Sequence, residues 1–544
     1  MNTEPTFDSY RSPVLARGGM VAASQPLAVA AGLKILAQDG NAADAAIATA
    51  AALNVTEPSS TGIGGDCFAL YFDATSGQVT ALNGSGRAPA GLTLKLLAEQ
   101  GLAAELPPLH AHTVTVPGAC AGWCDFIEAH GSLPLSTILA PAIDLATEGF
   151  PVAPLTAYFW QRGAAAQLAQ AANGRELTVD GHAPRAGEIF RNAGLARTLQ
   201  VVAEQGKRGF YEGEIAAANA AGVEASGGVM TTADIAEHTS LWVEPISTTF
   251  RDVRVWECPP NGQGLTALIA LNILEGFDLA GQNPLGAERW HLQIEAMRLA
   301  FADANWYVAD PDANSHLPIS ELLSKAYAAD RRKLIDPGRA TLDHLYGTPV
   351  AGSNTVYLCT VDGQGNACSF INSNYMGFGT GIVPEGWGFT LQNRGHGFSL
   401  DPQHPNALAP GKRPYHTLIP GMITHEQDGS LYAPFGVMGG YMQPQGHMQV
   451  VVDMIIDGLD PQAALNFPRF CIQDGTAGGQ VGLEDGLPAE TKATLEGLDH
   501  PVFFVQGYDR VLFGRGQIIR RMPDGVLWGG SDPRADGCAI GLIT

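Results

Sequence analysis

The sequence is poor in basic residues, and this bounds the partners that we expect. Its 31 Lys and Arg residues are outnumbered by 54 Asp and Glu residues, which gives a formal net charge of −23 at pH 7. Such a chain has no basic stripe that could replace the counterions of a phosphate backbone. The composition therefore argues against nucleic acid as a partner.

Long apolar segments are also missing. No uninterrupted apolar run reaches the length of a membrane-spanning helix, and the first twenty residues lack the apolar h-region of a secretory signal. The eight Cys residues include no C-x-x-C pair, so neither a zinc knuckle nor a thioredoxin-like motif is indicated. We expect a cytoplasmic protein with reduced thiols and no membrane partner.

Several motifs of common enzyme classes are absent as well. The sequence contains no G-x-S-x-G elbow and no G-x-x-x-x-G-K-[ST] loop, which argues against an α/β-hydrolase triad and a P-loop ATPase. Gly62-Ile63-Gly64-Gly65 is rich in glycine, but Asp66 and Cys67 follow it. The third glycine and the helix of a dinucleotide-binding motif are missing there.

One pair of residues has the spacing of metal ligands. His291 and Glu295 lie one turn apart on a helix that the periodicity of apolar residues predicts over 287–308. Because the sequence shows no third ligand, we interpret the pair as part of a solvated helix face and expect neither a metal nor a cofactor.

The pattern of the remaining chain predicts helices and strands in both halves. The predicted helices cover 26–38, a second Ala-rich helix capped by Asn41, 135–149, 163–175 and 444–457. The predicted strands after residue 354 cover 355–373 (with a turn), 380–392, 417–424 and 431–438. Residues 310–353 are polar and broken, and we interpret them as a linker. Together these elements indicate a layered α/β architecture.

The linker ends at the junction of Asn354 and Thr355, in the stretch SNTVYLCTVDGQGNACSF. After Asn354 and Thr355, a run rich in β-branched and aromatic residues predicts a strand, residues 362–366 are rich in turn formers, and a second strand runs from Ala367 to Ser373. Local pattern alone favours Thr355 as an ordinary strand residue, since Thr is common in strands.

Motifs elsewhere change that interpretation. They occur in a fixed order: TGIGGDCF (61–68), GRAPA (86–90), TVPGACAGW (115–123), LAPAIDLATEGFPV (139–152), PPNGQG (259–264), AMRLAFADANWYVADPD (296–312), NTVYLCTVD (354–362), GFGTGIV (377–383), GKRPYHTLIP (411–420), MGG (438–440) and GGSDPR (529–534). In this order the set resembles the γ-glutamyltranspeptidase family, and the likeness runs from about residue 18 to 541.

The resemblance implies an N-terminal-nucleophile hydrolase with a four-layer αββα sandwich, made as an inactive precursor. Cleavage between Asn354 and Thr355 would give a large chain, 1–354, and a small chain, 355–544, which together form one domain. Each chain is then the partner of the other. An assembly of several such heterodimers is compatible with the sequence.

The chemistry of a terminal Thr explains why such a precursor is inactive. A hydroxyl group is a poor nucleophile without a base within hydrogen-bond reach. After cleavage, Thr355 carries its own α-amine, whose pKa of about 7.7–8.0 lets it accept the hydroxyl proton near neutral pH. Before cleavage the same nitrogen is an amide and cannot act as a base.

The resemblance also implies roles for four further residues. Ser373 matches a hydroxyl residue that orients the nucleophile. Gly439 and Gly440 match the glycines whose N–H groups stabilise the oxyanion. Arg87 matches the Arg that binds the α-carboxylate of the substrate.

The chain departs from the family where glutathione-cleaving members bind the amino-acid head. Arg394 stands in place of a Glu or Gln that binds the α-ammonium, and Gly397 stands in place of an Asp. His416 and Thr417 replace paired Ser residues, and Tyr375 replaces an Asn. A cation in this place repels an ammonium group, which argues against a free amino-acid head.

These departures predict an amidohydrolase similar to the oxamate amidohydrolase and cephalosporin-acylase-like branch. Its small-molecule substrate would be oxamate or another dicarboxylate monoamide, with water as the acceptor. Two alternatives stay open: a γ-glutamyltransferase that acts on glutathione and transfers the acyl group, and a precursor-like binding protein without catalysis.

Overall fold

Most strands of the protein belong to two antiparallel sheets. The computed structural model describes residues 11–314, 317–344 and 355–543, so Asn354 lies outside the described residues. Within these ranges the strands are, in chain order, β1 (Val14–Ala16), β2 (Gly19–Ala23), β3 (Asp66–Asp73), β4 (Gln78–Gly84), β5 (Phe150–Pro151), β6 (Ile189–Phe190), β7 (Leu241–Val243), β8 (Ile246–Phe250), β9 (Val253–Glu257), β10 (Val356–Asp362), β11 (Ala367–Ser373), β12 (Gly421–His425), β13 (Leu431–Met438), β14 (Phe470–Ile472), β15 (Val481–Glu484), β16 (Val502–Val505), β17 (Arg515–Arg521), β18 (Leu527–Ser531) and β19 (Cys538–Gly541).

Helices occur along the whole chain. The α-helices of the described ranges are α1 (Pro26–Leu36), α2 (Ala42–Thr56), α3 (Leu94–Glu99), α4 (Ala119–His130), α5 (Leu135–Glu148), α6 (Pro154–Gly163), α7 (Ala193–Gln205), α8 (Lys207–Tyr211), α9 (Gly213–Ala225), α10 (Thr232–Ala236), α11 (Gly264–Leu274), α12 (Ala287–Tyr307), α13 (Ile319–Leu322), α14 (Lys325–Arg332), α15 (Met442–Ile455), α16 (Pro461–Asn466) and α17 (Ala489–Gly497). Short 3-10 or π turns cover Ala111–Thr113, Ala164–Leu168, Gly174–Leu177, Arg394–Gly397 and Gly507–Phe513. We found no helix among these residues that is long and apolar enough to cross a membrane.

The two large sheets have seven strands each. One has the order β1-β18-β17-β13-β12-β9-β8, and the other has the order β19-β2-β10-β11-β3-β4-β7. Apolar side chains from both sheets, such as Phe68, Tyr357, Met422 and Ile519, form the core between them. This is the aligned stacking of two antiparallel sheets.

Helices cover the outer face of each sheet. Helices α1, α2, α4 and α5 pack on the sheet that contains β10, and helices α11, α12 and α15 pack on the sheet that contains β13. The predicted four-layer αββα sandwich of the N-terminal-nucleophile hydrolases is therefore confirmed. The large and small chains of the precursor contribute strands to both sheets.

Helix α2 shows how local sequence builds one of these layers. The side chain of Asn41 accepts hydrogen bonds from the N–H groups of Ala43 and Asp44, and Asp44 accepts one from Asn41 in return. This capping box fixes the start of the helix. Every residue of α2 is buried, because its many Ala side chains allow close packing against β10 and β11.

The hairpin of β10 and β11 sets the position of the nucleophile. Val356 pairs with Asn372 and Val361 pairs with Ala367, across the turn that the sequence predicts. In this register Thr355 and Ser373 stand opposite each other at the open end of the hairpin. The predicted strand pair is confirmed, and its register decides which two hydroxyl groups meet.

Three predictions of local structure are wrong. Residues 163–175 form no α-helix, since a π turn covers Ala164–Leu168 and a 3-10 turn covers Gly174–Leu177. Residues 380–392 form no strand, because Gly381, Gly386 and Gly388 have φ angles of +79°, +76° and +69° that a strand does not allow. Residues 310–353 are more than a linker, since α13 and α14 lie within them. Part of that segment, including 345–353, lies outside the described residues.

Candidate active site

The candidate nucleophile lies at the open end of the hairpin of β10 and β11. Thr355 is fully buried, and its Oγ1 donates a hydrogen bond to Oγ of Ser373 at 3.2 Å. The backbone N–H of Tyr375 donates to the same Ser373 oxygen at 2.8 Å. Ser373 is therefore held by its neighbour and can fix the direction in which the Thr355 hydroxyl points.

Tyr375 has a backbone conformation that is uncommon for a large side chain. Its φ angle is +78°, in the left-handed region. Residues in such conformations cluster at active sites, where the surrounding structure holds them in place. Here the left-handed turn directs the N–H of Tyr375 back to Ser373 immediately after β11 ends.

The candidate oxyanion glycines follow β13 and precede α15. Gly439 and Gly440 have φ angles of +134° and +65°, which favour glycine. A Cβ on Gly439 would lie 3.1 Å from the Cα of Gly514, so the backbone also leaves little room there. Within the described residues, we find no acceptor for the N–H of either glycine. Both groups are thus available to a developing negative charge.

Two contacts place these glycines near the hairpin. Gly436 on β13 packs against the ring of Tyr357 on β10, where an added Cβ would approach the ring to 2.5 Å. The hydroxyl groups of Tyr375 and Tyr441 lie close enough to act on each other's pKa, and Tyr441 directly follows Gly440. The two sheets thus bring the nucleophile and the glycines to one end of the sandwich.

Gln263 supports the glycine turn from behind. Its Nε2 donates to the carbonyl oxygen of Gly440 at 2.8 Å and to that of Thr417 at 2.9 Å. Its Oε1 accepts a hydrogen bond from the hydroxyl of Tyr415 at 2.8 Å. This hydrogen bond anchors the peptide that directly follows the two candidate oxyanion N–H groups.

Arg394 is a buried cation in the same region. Its guanidinium group lies 4.1 Å from the centre of the Tyr375 ring, and its Nη1 donates to Oγ1 of Thr417 at 2.8 Å. Burial lowers the pKa of Arg394 to about 10, so the group stays charged at neutral pH. Gly397 packs against the Tyr415 carbonyl at 2.9 Å from an added Cβ, which leaves little space for the Asp of glutathione-cleaving relatives.

His416 contacts the protein through both ring nitrogens. Its Nδ1 accepts a hydrogen bond from the N–H of Leu418 at 3.2 Å, so its Nε2 carries the proton and donates to Asp66 Oδ2 at 3.0 Å. Burial lowers the pKa of His416 well below its usual range. Both ring nitrogens of His416 thus have partners within the protein, and its predicted role in substrate binding stays a prediction.

Asp66 is the buried carboxylate of this region. It accepts hydrogen bonds from the N–H groups of Gly86 and Gly118, from Gln392 and from His416, at 2.9–3.1 Å. Burial raises the pKa of Asp66 to about 6, and the charge of Arg394 opposes that rise. With its oxygens occupied, Asp66 holds several loops of the site together.

Arg87 lies in a separate cluster. Its Nη1 donates to the carbonyl of Gly411 and its Nη2 donates to Asp312, both at 2.9 Å. Arg413 also contacts Asp312, at 3.2 Å. The structure therefore gives the Arg87 guanidinium acceptors within the protein, and its predicted role as a carboxylate ligand stays a prediction.

The pair of residues with metal-ligand spacing has a third member. His291, Glu295 and His500 are buried and place one ligand atom each within 4.8 Å of one another. The interpretation of His291 and Glu295 as a solvated helix face is wrong, since α12 is almost fully enclosed. Sequence reasoning missed His500 because it lies 209 residues from His291.

The bonds within this group indicate a structural tie. His291 Nδ1 is hydrogen-bonded to His500 Nε2 at 2.8 Å, and His291 Nε2 is hydrogen-bonded to the Asp336 carbonyl at 2.8 Å. Arg298 lies 3.4 Å from Glu295 and balances its charge. Both ring nitrogens of His291 thus have protein partners, and the group connects α12 to His500.

Several supporting residues were not predicted. Gln263 lies in PPNGQG and Asp66 lies in TGIGGDCF, and Tyr441 directly follows MGG. These motifs indicate the family but assign no role to the three residues. Tyr415 was likewise present in GKRPYHTLIP. Their contacts are long-range, so no local pattern could assign them a role.

Comparison with known proteins decides the family. A family model described as gamma-glutamyltranspeptidase matches residues 28–542. The chain belongs to the γ-glutamyltranspeptidase family. The resemblance inferred from the ordered motifs is thereby confirmed over nearly the whole chain.

Relatives that are named for different activities belong to this family. The chain is 36% identical over 531 residues to the glutathione hydrolase-like YwrD proenzyme of Bacillus subtilis (strain 168), covering 96% of this chain and 98% of the relative. It is 33% identical over 534 residues to the oxamate amidohydrolase proenzyme of Klebsiella pneumoniae subsp. pneumoniae, covering 96% and 98%. The crystal structure of cephalosporin acylase from Bacillus halodurans superposes with a TM-score of 0.92 at 47% identity, covering 100% of this chain and 99% of that one.

Membership in the γ-glutamyltranspeptidase family establishes the class of the enzyme. Its relatives are proenzymes of N-terminal-nucleophile amidohydrolases that cleave themselves. The protein is accordingly an enzyme of this class, processed into a large and a small chain that act on a small-molecule substrate. The alternative of a binding protein without catalysis does not fit the family.

Proposed function

We propose that the protein hydrolyses amides whose acyl group carries a carboxylate but no α-ammonium, through an acyl ester on Thr355. Oxamate or a longer dicarboxylate monoamide is the expected substrate, and water is the acceptor. The observation that carries this proposal is the buried guanidinium group of Arg394, stacked on Tyr375 beside Ser373.

The charges around Arg394 support an anionic substrate. An α-ammonium bound in this region would lie against a buried cation, and unpaired like charges at low dielectric are strongly unfavourable. Asp66 is an opposite charge in this region, but its oxygens accept hydrogen bonds from four other donors, and Nε and Nη2 of Arg394 donate none to it. A carboxylate is the complementary charge.

The proposed reaction uses groups of Thr355 and the glycine turn. Oγ1 of Thr355 attacks the amide carbon while its α-amine takes the hydroxyl proton. The N–H groups of Gly439 and Gly440 stabilise the negative oxygen of the tetrahedral intermediate. As the C–N bond breaks, the α-amine returns the proton to the leaving amine. Water then attacks the ester carbon and regenerates Thr355.

The similarity to both an oxamate amidohydrolase and a cephalosporin acylase is in line with this proposal. The similarity to a glutathione hydrolase-like proenzyme favours a second candidate, γ-glutamyl transfer or glutathione hydrolysis. Both candidates use the same nucleophile and differ only in whether the acyl group bears an α-amine.

Two donors that differ only in that amine separate the candidates. Glutaryl-4-nitroanilide is γ-glutamyl-4-nitroanilide without its α-amino group, and both release the same coloured amine. We expect kcat/KM for the glutaryl donor to be at least about ten-fold higher, the equivalent of ~1.4 kcal/mol. Ammonia release from oxamate and its longer homologues extends the comparison to primary amides.

The opposite result would replace the proposal with the second candidate. Preference for the γ-glutamyl donor, with turnover stimulated by a dipeptide acceptor, would show a γ-glutamyltransferase.

The variant Arg394→Glu is the matched control. It reverses the charge at one position and should raise the ratio of γ-glutamyl to glutaryl activity. An unchanged ratio would show that Arg394 does not face the variable part of the acyl group.

A further inference from the structure

One edge of the Arg394 guanidinium group has no protein partner. The side chain is completely buried, and its Nε and Nη2 have no hydrogen-bond acceptor among the described residues. Its Nη1 donates a hydrogen bond to Oγ1 of Thr417. A buried charged group whose donors are unsatisfied is costly to maintain, so it needs an explanation, and a bound ligand is one.

The neighbouring groups cannot serve that edge. Asp66 is the carboxylate whose charge acts on Arg394, but both of its oxygens accept hydrogen bonds from other donors. The hydroxyls of Tyr375 and Tyr441 also act electrostatically on Arg394. Burial raises the pKa of both, so they stay neutral and cannot balance the charge.

The unpaired edge also has the right shape for a carboxylate. Nε and Nη2 point in parallel from one side of the planar group, and two parallel N–H donors match the two oxygens of a carboxylate. Stacking on the Tyr375 ring fixes the plane of the guanidinium group. The hydrogen bond to Thr417 fixes its rotation within that plane.

The position of Arg394 links this edge to the nucleophile. The ring beneath it belongs to Tyr375, whose N–H holds Ser373, and Ser373 accepts the hydrogen bond of Thr355. Arg87, in contrast, directs its Nη1 and Nη2 to Gly411 and Asp312 and its side chain is about one-third exposed. Of the two, Arg394 is the enclosed and unsatisfied one.

We propose that Arg394, through its Nε and Nη2 edge, is the ligand of the substrate's acyl carboxylate, with Thr417 and Tyr375 as its positioning residues. Arg87 instead braces the Asp312 and Gly411 segment. This inference rests on the proposed function for the identity of the ligand. It makes Arg394 the residue that selects carboxylate-bearing acyl groups, beyond excluding an ammonium.

Donors with and without a terminal carboxylate test this assignment on the self-cleaved enzyme. Glutaryl-4-nitroanilide is compared with its 4-carbamoylbutyryl analogue, in which a neutral amide of similar size replaces the carboxylate. Arg394→Gln should lower kcat/KM for the glutaryl donor by a factor of about 10² or more, as for truncating one partner of a buried charge pair. The change for the neutral donor should stay within about three-fold. Arg394→Lys keeps the charge but loses the fork, and should give an intermediate loss.

Arg87→Gln is the comparison variant. If Arg87 acts only by bracing a loop, this variant should change both donors by the same factor. The assignment is overturned if Arg394→Gln leaves the ratio of kcat/KM for the two donors unchanged while Arg87→Gln removes the preference for the glutaryl donor. Correct folding of each variant is checked by self-cleavage on a denaturing gel, and Arg394→Met replaces Arg394→Gln if the latter fails to cleave.

A direct binding measurement separates failure of this inference from failure of the proposed function. Calorimetric titration of cleaved enzyme with glutarate requires no turnover, and binding should be lost in Arg394→Gln and kept in Arg87→Gln. Glutarate binding through Arg394 without hydrolysis of carboxylate-bearing donors would refute only the proposed function. Hydrolysis of those donors with undiminished glutarate binding in Arg394→Gln would refute only the role of Arg394.

Discussion

Oγ1 of Thr355 donates a hydrogen bond to Oγ of Ser373 at 3.2 Å, between two residues that face each other at the open end of one hairpin. The donor direction leaves the lone pairs of the Thr355 oxygen available for attack. The same Ser373 oxygen accepts from the N–H of Tyr375. One hydroxyl thus orients the nucleophile and anchors the residue that supports Arg394.

The first prediction concerns Thr355 itself. Thr355→Ala should remain a single chain on a denaturing gel, because neither the attacking hydroxyl for self-cleavage nor the catalytic nucleophile is present. The unaltered protein should give two bands of about two-thirds and one-third of the mass, from chains 1–354 and 355–544. Thr355→Ser keeps a hydroxyl and should still cleave. Cleavage of the Ala variant at the same bond would refute the assignment of the nucleophile.

The second prediction separates orientation by Ser373 from simple packing. Ser373→Ala removes the acceptor of two hydrogen bonds and should lower kcat by about 10- to 10²-fold, the equivalent of ~1.4–2.7 kcal/mol. Ser373→Thr restores the hydroxyl and should recover most of the rate. Stopped-flow or steady-state release of 4-nitroaniline measures both. Equal rates for the Ala and Thr variants would argue against an orienting role.

The third prediction tests the glycine turn. Gly440→Ala places a side chain at a φ of +65° and should displace the N–H groups that face the oxyanion, with kcat lower by about 10²–10³. Gly458→Ala is a matched control, since Gly458 has a φ of +67° and open space around its Cβ position. Both variants carry the same backbone penalty, so an equal loss of activity in the control would show a general effect of stability.

The fourth prediction follows from the raised pKa of Asp66. Burial raises this pKa from 3.8 to about 6, so the folded state binds the proton more tightly than the unfolded state. The stability that this proton supplies is complete below pH 3.8 and is lost as pH rises through about 6. Asp66→Asn does not titrate there. The unfolding free energy of the natural protein, relative to this variant, should therefore fall between about pH 4 and 7, by roughly 1.4 kcal/mol per pKa unit.

Chemical denaturation of the two proteins at several pH values measures this difference. Asp66→Asn should also lose about 1–3 kcal/mol at every pH, because the Nε2–H of His416 would face an NH2 group instead of an acceptor. A difference that is constant across the pH range would show that Asp66 ionises in the folded state as it does in the unfolded chain.

Local sequence predicted many of the helices and the nucleophile hairpin. Asn41 capped α2 as expected, and the turn formers at 362–366 joined β10 to β11. Local sequence failed at 380–392, which we predicted as a strand. The left-handed glycines there form an irregular segment instead, and glycine allows both conformations, so the pattern could not distinguish them.

In the candidate site, too, motifs predicted some features and tertiary contacts decided others. The identity of Thr355, Ser373, Gly439 and Gly440 as candidates came from ordered motifs, without knowledge of any distance. The environments of the two arginines could not be obtained in that way. Arg87 contacts Asp312, 225 residues away, and Arg394 lies over the ring of Tyr375, which belongs to the irregular segment between β11 and Arg394. Such contacts depend on how the sheets and loops pack.

The sequence by itself determined the family, the self-cleaving class of enzyme and the identity of Thr355 and Ser373 as candidates, because these follow from the order and chemistry of short motifs. Only the tertiary structure decided which cation is satisfied by the protein and which is not. The physical reason is that the state of a buried charge depends on its neighbours. Arg87 donates to Asp312 and Gly411, whereas the oxygens of Asp66 accept from other donors and one edge of Arg394 has no acceptor among the described residues.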